Sequence, residues 1–116
     1  MFNKVIIFFD FEDDNFKVTL ENILINLGLS SVVFINFGKR SFPYAFLLAK
    51  NVCAIYITRN CVLACIKANR VKYVNAAICK ISDIKEIKAN DCNFFIILKQ
   101  SNQEEISALI KGLIFN

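Results

Sequence analysis

An open parallel sheet covered by helices on both faces is the fold this sequence predicts, and three observations predict it. Short apolar and β-branched runs alternate with stretches whose apolar residues recur every three or four positions. Only 3 glycines and 1 proline occur in 116 residues, which leaves little room for long irregular connections. The hydrophobic fraction is 56%, above the globular average of about 45–50%, and this surplus suits strands buried on both faces or an oligomer interface.

The first run, Val5-Ile6-Ile7-Phe8-Phe9, is continuous and apolar, as a central parallel strand requires. It ends in the acidic turn Asp10-Phe11-Glu12-Asp13-Asp14, where Asp13 or Asp14 can cap the following helix. In that helix Phe16, Leu20, Ile23, Leu24 and Leu27 form one stripe, and Gly28 is its natural terminator. Residues Ser31 to Phe37 read as the second strand. After Gly38-Lys39-Arg40 a short helix is expected from Phe42 to Lys50, with Pro43 tolerated in its first turn. Val52 to Ile57 is the third strand, and Asn60 caps a helix running to Asn69. Tyr73 to Ile78 is the fourth strand, followed by a weak helix near Ser82–Lys88. Asn93 to Leu98 is the fifth strand. A last helix starts at Ser101 or Asn102 and carries Ile106, Leu109, Ile110 and Leu113 as its stripe.

These elements make one domain over residues 1–116, a three-layer α/β/α Rossmann-like sandwich. Right-handed crossovers give the flavodoxin-like five-stranded parallel order 2-1-3-4-5. Ligands of such sheets bind outside the carboxyl ends of the strands, beside the first and third, which here means Asp10–Asp14 and Thr58–Cys61.

Composition removes several function classes. The net charge is +4, but the basic residues are scattered and diluted by Asp83 and Glu86, so no nucleic-acid stripe is expected. Five cysteines (Cys53, Cys61, Cys65, Cys79, Cys92) include no zinc-type pair. Histidine is absent, so the thiols read as small hydrophobes and no metal or cofactor is expected. Asp10 and Asp13 could approach Mg²⁺, but carboxylates so placed more often form solvated, helix-capping surface. Lys99 reads in the same way as a solvated loop cation. No run reaches membrane-spanning length, and reduced thiols without an export signal place the protein in the cytoplasm.

The stretch from Ala54 to Cys79 resembles the type B ribose-5-phosphate isomerase and galactose-6-phosphate isomerase family. That family has a strand ending in Cys-Gly-Thr-Gly-Ile-Gly, a helix ending in Ala-Ala-Asn-Lys, and a strand ending in Ala-Ala-x-Cys. The frame continues without gaps through Lys67-Ala68-Asn69-Arg70-Val71-Lys72 and Ala76-Ala77-Ile78-Cys79. Asp10 through Lys17 falls on the family's Asp-His-Ala-Gly-x-x-Leu-Lys motif. Phe42-Pro43 resembles its Tyr-Pro, Asn90-Asp91-Cys92-Asn93 its Asn-Asp-Ala-Asn, and Glu104-Glu105 keep their spacing. The likeness spans nearly the whole chain, with a short helix after Pro43 and without the family's C-terminal tail.

The resemblance implies aldose–ketose isomerisation of a sugar phosphate, in which a cysteine thiolate moves a proton between carbons and a glycine loop holds the oxyanion. This sequence departs from that equipment. The base falls on Thr58, whose hydroxyl is far too weak an acid, and the glycine loop becomes Arg59-Asn60-Cys61-Val62-Leu63. The family's histidines become Phe11 and Ala89, and its arginine becomes Gln100. Asp10, Asn69 and Asn90 survive, while Glu12, Asp13 and Asp14 crowd negative charge where a phosphate would approach.

Three functions follow as expectations. One is a catalytically degenerate relative with a structural, regulatory or partner-subunit role, paired with itself as a homodimer or with an active relative. Another is an isomerase with Cys61 as a relocated base at a helix N-terminus, Thr58 beside it, and Asp10, Arg59, Asn60, Asn69 and Asn90 binding the substrate. Packing within the helix is the plainer account of Cys61. The last is a receiver-like signalling domain, suggested by the acidic turn and Lys99. Its phospho-acceptor aspartate should end the third strand, where this chain has Thr58.

Overall fold

The structure, a computed structural model, describes residues 4–9, 13–28, 32–36, 52–72, 74–99 and 102–115. Its elements are β1 (Lys4–Phe9), α1 (Asp14–Asn26), β2 (Val32–Asn36), β3 (Val52–Thr58), α2 (Cys61–Asn69), β4 (Ala76–Ile78), a 3-10 turn (Ile81–Asp83), α3 (Ile84–Ala89), β5 (Phe94–Leu98) and α4 (Gln103–Ile114). The helix expected over Phe42–Lys50 lies outside the described residues.

α1, α2 and α4 begin where a short polar side chain takes an orphan backbone N–H, whereas the Asp83 side chain makes no such bond at the start of α3. Asp13 accepts from Phe16 N at 3.0 Å, Asn60 from Leu63 N at 3.2 Å and Asn102 from Glu105 N at 2.8 Å. α1 stops at Gly28, whose φ of +75° suits a residue without Cβ. β4 is shorter than expected. Val74 N turns back to Val71 O, and Asn75 is tied through its N–H to Asn93 Oδ1, so pairing starts only at Ala76.

All strand pairings are parallel, and the sheet order is β2-β1-β3-β5-β4. The expected order 2-1-3-4-5 is therefore corrected at its far edge, where β5 lies between β3 and β4. Handedness explains the exchange. A crossover of fixed hand ties the direction of travel along the sheet to the face its helix covers. α1 returns the chain from β1 to β2 across one face, packing Leu20, Ile23 and Leu24 there. α2 carries it forward past one strand position across the other face, with Ala64 and Ala68 buried. α3 buries Ile87 on the face of α1, so its crossover must also step back, which places β5 inside β4. Five apolar residues, Phe94–Leu98, suit that inner position better than the three-residue β4.

The larger core joins Ile7, Ile55 and Ile97 to α1, α3 and α4, with Ile106, Leu109, Ile110 and Leu113 of α4 all buried. The smaller core sets Ile6, Phe8, Tyr56, Phe94 and Ile96 against α2. Tyr56 and Phe94 meet edge-on at 6.1 Å, a favoured aromatic arrangement.

Candidate functional site

Strand order reverses between β1 and β3, so the crevice above their carboxyl ends is where a ligand of this fold would lie. β3 delivers Thr58 to it, only 1% exposed. The Thr58 hydroxyl accepts from Asn60 N at 3.2 Å. Its carbonyl accepts from Lys99 N at 2.8 Å and from the Cys61 thiol at 3.8 Å. Thr58 thus fastens the start of α2 and the end of β5 to one strand end. The Cys61 contact exists only while the sulfur keeps its proton, and it draws the half-buried thiol back toward β3.

From the other side comes Asp13. While one carboxylate oxygen caps α1, the other meets Lys99 Nζ at 3.0 Å. Lys99 is no solvated loop cation: its side chain is 14% exposed, and Nζ lies 5.1 Å from the centre of the Phe16 ring. The Phe16 N–H, then the Lys99 ammonium, hold the Asp13 carboxyl below its ordinary value, with Arg59 adding a weaker pull. Asp13 and Lys99 neutralise one another here. Sequence reasoning placed both residues correctly but not their contact. The available signal was opposite charge after two strands of one parallel sheet.

The expected site residues divide. Thr58, Arg59, Asn60 and Cys61 are brought together, with Asn60 engaged as helix cap and Arg59 exposed. Asp10 lies outside the described residues. Asn69 and Asn90 stand at the opposite, amino-terminal end of the sheet from Thr58, so within one chain they do not join the groups at Thr58. Asn69 brackets Ala76, accepting from its N–H at 2.8 Å and donating to its carbonyl at 3.2 Å. Asn90 ends α3, donating to Glu86 O at 2.8 Å while its own carbonyl accepts from Asn75 Nδ2 at 3.0 Å. Asn93 completes this amide cluster by exchanging two hydrogen bonds with Asn75. Asp91 between them takes a left-handed φ of 53°. The Asn90–Asn93 motif therefore forms the turn into β5.

The buried thiols are unsuited to acid–base work. Burial pushes Cys53 and Cys79 up to about 12 and also raises Cys92. Among the described residues no group of three or more histidine, cysteine or carboxylate side chains could hold a metal ion. An open groove of about 760 Å³ between α1 and α4, lined by Ile23, Asn26, Asn102, Glu104, Ser107 and Ala108, contains none of the expected site residues.

No family model matches this sequence, and no curated protein matches it. Solved structures do. The type B ribose 5-phosphate isomerase of Leishmania infantum superposes with a TM-score of 0.76 at 18% identity, over 100% of this chain and 85% of that one. Ribose 5-phosphate isomerase B from Anaplasma phagocytophilum gives 0.76 at 17% identity, over 99% and 87%. The Mycoplasma genitalium enzyme, solved with bound ribulose-5-phosphate, gives 0.73 at 18% identity, over 98% and 85%. At this identity the likeness shows a shared fold.

Proposed function

We propose that this chain is a divergent relative of the type B ribose-5-phosphate isomerases that has kept their fold and lost their reaction, and that it serves a structural, regulatory or partner-subunit role. The observation that carries this is Thr58. It occupies the position of the family's thiolate base, and its hydroxyl is already engaged with Asn60 N while 1% exposed. An aliphatic hydroxyl is far too weak an acid to supply the alkoxide that would replace a thiolate as base toward a sugar carbon at neutral pH. The flanking groups support the same reading. Asp13 and Lys99 cancel each other across the crevice, and the Cys61 thiol donates to a backbone carbonyl.

The alternative, an isomerase with Cys61 as base, has Cys61 in the first turn of α2 and Arg59 exposed beside it. The receiver-like alternative is disfavoured by the strand order, since receivers share the 2-1-3-4-5 arrangement, and by Thr58 at the phospho-acceptor position. Pairing with itself or with an active relative belongs to the proposal, as does a cytoplasmic setting, which five free thiols support.

The test is interconversion of ribose 5-phosphate and ribulose 5-phosphate by the full chain, with any histidine tag removed because the sequence has no histidine. The expected result is no turnover above the uncatalysed rate at high protein concentration. Turnover that Cys61→Ser abolishes would overturn the proposal and install Cys61 as the base.

A further inference from the structure

We infer that the open edge of β4 takes up the carboxyl-terminal segment of a partner protein as an added antiparallel strand. β4 ends the sheet, with β5 on its inner side only. Its bonds fix the direction of its backbone groups. Asn75 O accepts from Asn93 N at 3.0 Å and Cys79 N donates to Ile96 O at 2.8 Å, so Asn75, Ala77 and Cys79 face β5. Ala76 and Ile78 therefore direct their N–H and C=O away from the sheet. The two edge positions differ. The Asn69 side chain takes both groups of Ala76, at 2.8 and 3.2 Å, and so stands where a neighbouring strand would run. Among the described residues nothing meets the outward groups of Ile78. Lys80 continues the extended line, at φ −122° and ψ 154°, before the chain turns at Ile81. An edge closed at one residue and open at the next is a template for a short added strand.

Geometry and charge select the occupant. The added strand cannot run on from Ile78 toward the amino end of β4, because Asn69 fills the next place. It has to stop there, and a chain end does so. Arg70 and Lys72, both exposed, sit in the loop leading to that end, and residues 59–82 contain no carboxylate. An antiparallel strand stops with its terminal carboxylate toward these cations, whereas a parallel one would bring them an ammonium. Two residues before the one opposite Ile78, the antiparallel strand lies opposite Lys80, where an acidic side chain is matched. An apolar side chain suits the place beside Ile78, which is half-buried on the α2 face of the sheet. Leu98 of β5, on that same face, is 40% exposed, and Ile81 just beyond β4 is 50% exposed. A second copy of β4 does not fit. Antiparallel pairing about Ile78 would set Lys80 of one copy against Ala76 of the other, whose groups Asn69 already holds. Strand addition of this kind draws affinity from main-chain hydrogen bonds and specificity from alternate side chains.

This inference deepens the partner role proposed above. Its test measures binding and not turnover, so an active enzyme would overturn that reading without touching this one. The probe is an amino-terminally fluorescein-labelled peptide ending in Glu-Thr-Ile-Val with a free carboxyl terminus, titrated with the full chain and followed by anisotropy. Ile78→Pro removes the outward N–H and, on an edge strand, spares the ladder to β5. It is expected to weaken binding at least about tenfold, with an unchanged circular dichroism spectrum. Lys80→Glu, at an exposed position, is expected to weaken binding of this probe and to improve binding of the version carrying Lys for Glu. Amidating the carboxyl terminus, or extending it by two residues, is expected to cost at least about tenfold on the wild type. Absence of binding, or binding indifferent to Ile78→Pro and Lys80→Glu, would overturn the inference. So would equal binding of the amidated or extended peptide, or a self-dimer in sedimentation velocity that Ile78→Pro dissolves.

Discussion

The two faces of this sheet are covered on opposite principles. α4 is an ordinary amphipathic helix: Ile106, Leu109, Ile110, Leu113 and Ile114 are buried, and Glu104, Glu105 and Lys111 face water. It even admits Gly112, above which Ile84 of α3 sits so close that an added Cβ would lie 2.6 Å from Ile84 Cδ1. α2 holds the sheet with alanines and turns its branched aliphatics outward. Small inward residues let a helix lie close to a sheet, so α2 can be well packed while burying little apolar surface of its own. The difference separates apolar surface that holds the fold from apolar surface left to solvent.

Thiol chemistry should expose that difference most sharply. Cys53 and Cys79 belong to the core under α1 and α4, whereas Cys61 and Cys65 border the core under α2. With the first two pushed up to about 12, their thiolate fraction at neutral pH falls roughly a thousandfold below that of an ordinary thiol. Iodoacetamide followed by peptide mapping is expected to label Cys61 and Cys65 and leave Cys53 and Cys79 intact while the chain is folded. Equal labelling of all four would break the comparison.

Stability should divide in the same direction. Ile110→Ala removes a fully buried side chain and is expected to cost about 2–5 kcal/mol in urea unfolding. Ile66→Ala, on the exposed side of α2, is expected to stay within about 0.5 kcal/mol. A large loss at Ile66 would mean that α2 is held by its outer face in the isolated chain. Between these lies Ala64→Leu, which forces a larger side chain between α2 and the sheet and is expected to cost about 1–3 kcal/mol.

The caps should have a modest effect, and it should depend on pH on one side alone. Asp13→Ala and Asn60→Ala each remove a side chain that accepts a helix N–H, and Asn60→Ala is expected to cost about 1 kcal/mol. The Asp13 carboxyl is held below its unfolded value, so its contribution is fully present above about pH 4 and is lost as pH falls through the folded value. The stability gap between the wild type and Asp13→Asn is therefore expected to narrow on acidification toward pH 3, whereas the gap for Asn60→Ala should stay level. Urea midpoints across that range measure both.

Much of this was legible locally. The caps at Asp13, Asn60 and Asn102, the stripes of α1 and α4, and the strand runs depend on contacts within about one helical turn or on strict apolar continuity. The candidate site was legible only as far as one strand end carried it. Thr58, Arg59, Asn60 and Cys61 are consecutive and stay together, but Lys99 meets Asp13 across 86 residues, and no local pattern announces that pair. The roles of Asn69 and Asn90 were open for a related reason. An amide at the end of a helix reads equally as a ligand group or as a partner for a nearby strand, and the open N–H and C=O of Ala76 decide the matter for Asn69.

By itself the sequence determined which segments are strands and helices, where most of them start, and that the sheet is parallel with helices on both faces. These properties follow from the spacing of apolar residues and from side chains that reach a few positions along the chain. Only the tertiary structure decided that β5 lies inside β4, that Lys99 closes on Asp13, and that α2 turns its aliphatic residues outward. Each of these depends on which face of the sheet a helix covers, and that choice belongs to the packed assembly and not to any one segment.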